Sequence, residues 1–375
     1  TGAWRVRSSM NELSELMNMT CTVDIGLMSI NYTCFDGEQS FSQSLCLTNT
    51  SVNTSQLNRL EKLVSGFADQ EITKSCEMIH STLDEIEKIH GLYSPGALAL
   101  AAALACGSFT FLLSGGVIEM LCAFIGAGIG NYIRCKMTKH HLTLFLGIIS
   151  SVSAACLSYT VLLRLLQLFF TVNVQHEAGY ICSMLFIIPG FPFITSGIDL
   201  AKLDLRSGLE RLTYSIIIVL VATMFAWIMA LLLKLQPQDF VALHLGSMMH
   251  LVLRLIASFC GVFGFSIMFN SSVYIAATAA CIGAVANTLR LELVDYTGMP
   301  SAAAAFIGAL TAGLLASIIK RNHGYPRISL TVPSVVIRVP GLYLYRAIYN
   351  FGIMSLTEAV SWFAAGVFII FLFPL

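Results

Sequence analysis

Charge is scarce in this sequence of 375 residues: Asp, Glu, Lys and Arg together make up 11%, against roughly 25% in a soluble globular domain. With 56% hydrophobic residues and a mean hydropathy of +0.78, the sequence reads as a membrane protein. The 21 basic and 21 acidic side chains cancel and form no basic cluster, which argues against nucleic-acid binding, because phosphates demand a concentrated positive surface. There is no Gly-x-Ser-x-Gly elbow and no His-Glu-x-x-His pair, the marks of two common classes of hydrolase. There is no Gly-x-x-x-x-Gly-Lys-Ser/Thr loop either, which removes direct drive by ATP. The 11 cysteines are odd in number, and Cys21, Cys34, Cys46 and Cys76 lack the short paired spacings of a zinc site, so they read as free thiols in a reducing compartment. The expectation is a protein with no catalytic residues, no metal and no cofactor, and no signal peptide is visible at its start.

What is present is divided unevenly. Residues 1–90 hold 18 of the charges, 12 of them acidic. Residues 1–92 read as a small α/β domain: helical spacing from Arg5 to Met19, alternation through Val23, Ile25, Met28, Ile30, Tyr32 and Cys34 toward an Asp36-Gly37 turn, then two helices. Leu57, Leu60, Leu63, Val64 and Phe67 make one apolar stripe, and Ile72, Cys76, Ile79, Leu83, Ile86 and Ile89 a second.

From Ser94 onward, apolar runs of roughly 20 residues, enough to cross a bilayer, follow one another. About ten fall near residues 95–113, 116–133, 142–163, 178–198, 212–234, 241–267, 273–290, 302–319, 328–349 and 356–373. Basic residues collect after the second span (Arg134, Lys136, Lys139), the fourth (Lys202, Arg206, Arg211) and the eighth (Lys320, Arg321, Arg327), all on one side. By the positive-inside rule that side, with the N-terminal domain and the C-terminus, is cytoplasmic, and the protein a multi-pass component of the cytoplasmic membrane. The glycosylation patterns at Asn31, Asn49 and Asn53 are discounted accordingly.

Two patterns occur twice in the same order. Gly128-Ile129-Gly130-Asn131-Tyr132-Ile133-Arg134 matches Ala284-Val285-Ala286-Asn287-Thr288-Leu289-Arg290, and Ile188-Pro189-Gly190 matches Val339-Pro340-Gly341. The repeats divide the membrane part into residues 93–236 and 237–375, five spans each. An odd number sets the second half upside down relative to the first, as in many secondary transporters. Proline removes a backbone donor, and such breaks are tolerated in mid-membrane only where they are buried or line a watered cavity. Pro189, Gly190, Pro340 and Gly341 are therefore the expected substrate-binding breaks.

These residues also carry a resemblance. Gly2-Ala3-Trp4-Arg5-Val6, Gly115-Gly116 with Glu119, Ile188-Pro189-Gly190-Phe191-Pro192 with Asp199, and Pro333 through Pro340-Gly341 to Tyr345 and Ala347 resemble the threonine/serine exporter family, with its two five-span parts fused. The resemblance implies export of threonine and serine, driven by the proton gradient; two-protein relatives look like succinate exporters. Arg7 stands where the family commonly has Glu, and Ile337-Arg338 replace an apolar stretch.

An ionisable side chain at the bilayer centre costs at least ~2.5–3.5 kcal/mol, so each one asks for a partner or a purpose. Arg254 and Arg338 are candidate clamps for a substrate carboxylate, Arg338 lying just before the second break, with an internal ion pair, for example with Glu119 or Glu358, or contact with helix-end carbonyls as the competing role. Asp199 suits a substrate ammonium or a proton, with an interfacial salt-bridge cluster as its competing role; Glu119 and His250 are the other proton-coupling candidates. Arg346 and Glu358 complete the ionisable set. Asn131, Asn287, Thr195, Ser196 and Tyr345 offer polar contacts to a hydroxyl, although most such groups bridge helices. The expected partners are a small-molecule substrate (serine, threonine or a dicarboxylate), protons and the bilayer, with a homo-oligomer left open. A membrane sensor is the remaining alternative, but a sensor needs no repeat. Arg338→Ala should abolish transport and leave a folded protein; wild-type flux in proteoliposomes would remove Arg338 from the site.

Overall fold

A computed structural model of the chain describes residues 2–47, 51–68, 76–89, 91–140, 142–170, 177–235, 246–336 and 341–372. Helix α1 (Ala3–Leu16) leads into strands β1 (Thr20–Ile25), β2 (Ser29–Phe35) and β3 (Ser40–Cys46), which form an antiparallel sheet in the order β1-β2-β3. The alternation read as one stretch is two strands. Gly26 turns the chain, its N–H donating to Ser29 O at 2.8 Å, and Cys21 comes to face Cys34. Burial, together with the Cys34 thiol, pushes the Cys21 thiol up to about 11. The second turn is the expected one at Asp36-Gly37. Amides of Gln39 and Glu38 donate to Asp36 Oδ1 at 2.7 and 2.9 Å and hold its carboxyl below the usual range, and Gly37 takes a φ of +100°. Helices α2 (Thr54–Ala68) and α3 (Cys76–Glu87) follow; Ile72 of the second expected stripe lies outside the described residues.

The rest of the chain is helical: α4 (Pro95–Leu112), α5 (Val117–Lys139), α6 (Leu144–Gln167), α7 (Glu177–Cys182), α8 (Gly190–Ala201), α9 (Leu205–Leu232), α10 (Ser247–Met268), α11 (Val273–Thr297), α12 (Ser301–His323), α13 (Arg327–Val336), α14 (Gly341–Gly352) and α15 (Leu356–Leu372). Among the described residues seven of these, α4, α5, α6, α9, α10, α11 and α12, are long and apolar enough to cross a membrane. An eighth span results if residues 178–187 and 190–201, which meet at 67°, are taken together. The ten uniform runs expected from hydropathy thus differ in kind. The fourth is bent, the ninth is divided into α13 and α14 on either side of residues 337–340, and the tenth is the short α15. Local chemistry sets the ends. Ser94 Oγ accepts from Ala97 N ahead of Pro95, while α11 and α12 stop at glycines with left-handed φ, Gly298 and Gly324.

Helix pairing repeats. In the first half α5 packs on α4 and α6, α8 on α9, α6 on α9, and α7 on α4 and α5. In the second half α11 packs on α10 and α12, α14 on α15, α12 on α15, and α13 on α10 and α11. The contacts between halves map onto themselves under the same exchange. Helix α4 meets α10, α8 meets α13 as α7 meets α14, and α9 meets α14 as α8 meets α15. There are two apolar cores: one around Val152, Tyr159 and Phe186, which Tyr345 of the second half joins, and one around Val262, Ile275 and Leu330, which Ala105, Phe191 and Ile194 of the first half join.

Small residues allow this closeness. Lipid tails are as apolar as leucine, so helices in a bilayer associate through tight packing. Gly126 and Gly130 of α5 press on the Ala155 and Ser151 carbonyls of α6, each 2.9 Å from where a Cβ would stand. At the crossing between halves, a Cβ on Gly264 would run into the carbonyl oxygen of Ala101. Gly264→Ala should therefore cost ~1–3 kcal/mol through overpacking. Gly147→Ala, where nothing lies within 4 Å, should be neutral or stabilising; thermal unfolding in detergent compares the two.

Candidate functional site

The first break is built from α5 and the approach to α8. After α7 the chain makes a 3-10 turn over Leu185–Ile187, and Pro189, lacking an N–H, sits ahead of Gly190, whose amide donates to Ile188 O at 2.8 Å. The Phe186 carbonyl, no longer part of a continuous helix, accepts from Arg134 Nη1 at 3.1 Å. Arg134 was legible only as a loop charge and as the last residue of a repeated pattern; the structure places its guanidinium on the break. One turn before it, Asn131 donates to Leu98 O of α4 at 2.8 Å, and its counterpart Asn287 donates to Ser258 Oγ of α10 at 2.9 Å. Both asparagines thus join equivalent helix pairs. Arg338 and Pro340 of the second break lie outside the described residues, and Gly341 opens α14.

The two sides of the breaks are filled differently. On the side away from the N-terminal region, Tyr159 of α6, Tyr180 of α7 and Tyr345 and Tyr349 of α14 form a chain of ring contacts 5.9, 6.5 and 6.5 Å apart. Tyr180 also donates to Ala226 O of α9 at 2.7 Å, and Tyr345 is 2% exposed. On the near side, α8, α12, α13 and the start of α1 enclose a cavity of about 440 Å³. Ile194 and Ile198 of α8 and Thr331 and Val335 of α13 line it together with the basic Arg5, Lys202, Lys320 and Arg327. The exchange that relates the halves carries α8, α12 and α13 onto α14, α6 and α7. Open space on one side therefore corresponds to packed tyrosines on the other.

The carboxylates lie elsewhere. Asp199, 0% exposed at the end of α8, pairs with Arg211 at 3.0 Å and accepts from Ser207 Oγ at 3.3 Å and from the Trp4 amide at 3.5 Å. A Cβ on Gly2 would stand 2.8 Å from its Oδ1, so glycine is what lets the chain pass there. Alongside, Arg7 grips Asp204 with two bonds of 2.6 and 2.8 Å, Leu27 N donates to Glu210 Oε2 at 2.6 Å, and Arg206 pairs with Asp24. Asp199 thus sits in the interfacial cluster that docks the N-terminal region.

Glu119 closes a cap at the start of α5, accepting from Gly116 N at 2.7 Å, a position the helix dipole favours for an anion. It is 2% exposed, and Gly179 of α7 passes close enough that a Cβ there would stand 3.0 Å from the Glu119 Cβ. His250 sets its ring edge-on to Phe111 at 6.2 Å. Arg254 pairs with Glu292 at 2.8 Å and with Asp295, because α11 runs on through residues 290–297 that hydropathy had left as a connection. Arg346 lies over the Trp362 ring at 4.8 Å, and Glu358 is exposed in the first turn of α15. The structure joins Pro189 and Gly190 with the Arg134 turn, and Tyr345 with Tyr180. Asp199, Glu119, His250 and Arg254 keep four separate sets of neighbours.

Long apolar helices paired in two matching halves, with a bent span against a cavity, define a polytopic membrane transporter. Residues 1–234 match the family model described as a threonine/serine exporter, and residues 254–374 match a second, Threonine/Serine exporter, ThrE. The chain belongs to the threonine/serine exporter family. No curated protein and no solved structure matches it.

Removing one partner of a buried ion pair leaves the other charge stranded, at about 3–5 kcal/mol. Arg211→Gln should therefore loosen the N-terminal region, seen as faster amide exchange along α1. Arg206→Gln, at a half-exposed pair, should change stability by less than ~1 kcal/mol. Equal effects of the two would show that Asp199 does not anchor the domain.

Proposed function

We propose that the protein is a secondary exporter of L-threonine and L-serine across the cytoplasmic membrane, with its N-terminal region and C-terminus in the cytoplasm. The observation that carries this reading is the unequal filling of two equivalent places, a cavity on one side of the breaks and a tyrosine stack on the other. Alternating access in an inverted repeat is a rocking of one half against the other that exchanges those two conditions. The cavity corresponds to the inward-open side, facing cytoplasmic substrate, and the tyrosines to the closed outer gate.

The breaks supply the chemistry for a small zwitterion. Unwound backbone at Pro189-Gly190 offers carbonyls and amides, and Arg134 holds that break in shape; Pro340-Gly341 and Arg338 are assigned the corresponding role in the second half from the sequence pattern alone. Export against a gradient needs an energy source, and each proton moved is worth ~2.3 kcal/mol per 100 mV. Glu119 is the coupling group best placed for it, being buried at the α5–α7 contact, where any displacement of α7 alters its surroundings. A second reading, export of a dicarboxylate, is favoured by one observation: four basic side chains line the cavity.

Purified protein in proteoliposomes should move labelled L-serine and L-threonine when a pH gradient is imposed, and flux of succinate alone would transfer the reading to dicarboxylates. Replacing Pro189-Gly190 by Ala-Ala should straighten the bent span and cut flux at least tenfold while the protein stays folded. Wild-type flux from that variant would show that the break is not part of the route.

A further inference from the structure

We propose that the cavity between α1, α8, α12 and α13 is a binding site in its own right for a small carboxylate, held by Arg327 and Lys202 beneath Trp4. Its place on a transport route rests on the reading above; its ligand chemistry does not. Among the described residues the lining contains four basic side chains and no acidic one. Two of the four are engaged: Arg5 pairs with Glu61, and Lys320 Nζ stands 3.5 Å from the same carboxylate oxygen. The other two have no carboxylate partner among the described residues. Lys202 Nζ lies over the Trp4 ring at 5.8 Å, and the Arg327 guanidinium packs against Gly313 of α12, 3.3 Å from where a Cβ would stand.

Two cations without a counter-charge beside an enclosed space attract an anion. The apolar wall of Ile194, Ile198 and Val335 lowers the local dielectric and strengthens that attraction. About 440 Å³ falls within the range of small-molecule sites. The polarity of the space fixes the kind of anion. Apart from these four cations and Thr331 the lining is apolar, which suits a short carboxylate rather than a polyanion. Arginine presents a planar fork that a carboxylate fills with two parallel bonds, and lysine adds a point charge.

The test uses the full chain in a neutral detergent and calorimetric titration with L-threonine, succinate, inorganic phosphate and phosphatidylglycerol micelles. Saturable binding of L-threonine or succinate is expected, weakened at least tenfold by Arg327→Gln or Lys202→Gln, less by Arg327→Lys, and not at all by Arg206→Gln. Binding of phosphate or phosphatidylglycerol with no carboxylate binding would overturn the proposal, as would carboxylate binding that Arg327→Gln leaves unchanged.

A Thr331→Cys variant gives a second readout should the neutralised variants unfold. Peptide mass spectrometry should find its thiol modified at least tenfold faster by an anionic methanethiosulfonate than by a cationic one, and equal rates would overturn the proposal. The two readings fail separately. Carboxylate binding without flux would keep the site and remove the exporter, whereas flux with a KM unaltered by Arg327→Gln would keep the exporter and remove the site.

Discussion

Every peptide group placed in hydrocarbon needs a partner within the protein, and the architecture depends on how that demand is met where helices are interrupted. At Pro189 the ladder of α7–α8 loses a donor, and the Phe186 carbonyl is taken by Arg134 from the neighbouring α5. That single bond explains several features at once. It requires an arginine deep in a bundle poor in charge and α5 pressed close to the break, and so small residues along α5: Gly126 against Ala155 and Gly130 against Phe186 and Ser151. Among the described residues the guanidinium has no carboxylate within salt-bridge distance. It serves as a donor, which is why its place in the repeated pattern, rather than its charge, was the useful signal.

The same logic separates what the sequence revealed from what it concealed. Apolar runs, Pro-Gly pairs and the doubled Asn-x-x-Arg pattern are local, and from them came the helices and the position of the bend. Pairings across long separations left no trace. Arg254 had the look of a substrate clamp because hydropathy ended the seventh span at Arg290; the helix continues for two more turns and delivers Glu292 and Asp295 to it. Asp199 lay between two roles, and only the folded chain brings it Arg211 and the start of α1. Gly26 to Met28, within an alternating stretch, form the turn that makes one expected strand into two.

Arg7 shows how a departure from family pattern becomes intelligible in three dimensions. An arginine at that position is met by Asp204, 197 residues away, through two short bonds, so charge at the interface is kept in balance. The N-terminal region in fact grips both halves: Asp204 and Glu210 of the first, and of the second Ser271, whose hydroxyl meets Thr54 at 2.7 Å. Lys320 on α12 adds a contact through Glu61.

Under the alternating-access reading proposed above, these grips bear on the balance between open and closed. Two halves related by exchange would by themselves be nearly indifferent to which end is open, and a protein with such a pair of states divides its population by a few kcal/mol. The difference must come from what breaks the symmetry. One source is the pair of equivalent places themselves, tyrosines at one and aliphatic and basic side chains at the other. The other is the N-terminal region, which among the described residues has no counterpart at the far end and binds both halves. On that reading, closing that side would mean moving the halves beneath a domain attached to each, so Asp199, Asp204 and Ser271 would act on the equilibrium from outside the cavity. Under the exporter reading this gives the buried Asp199 an energetic role that its position outside the cavity would otherwise conceal.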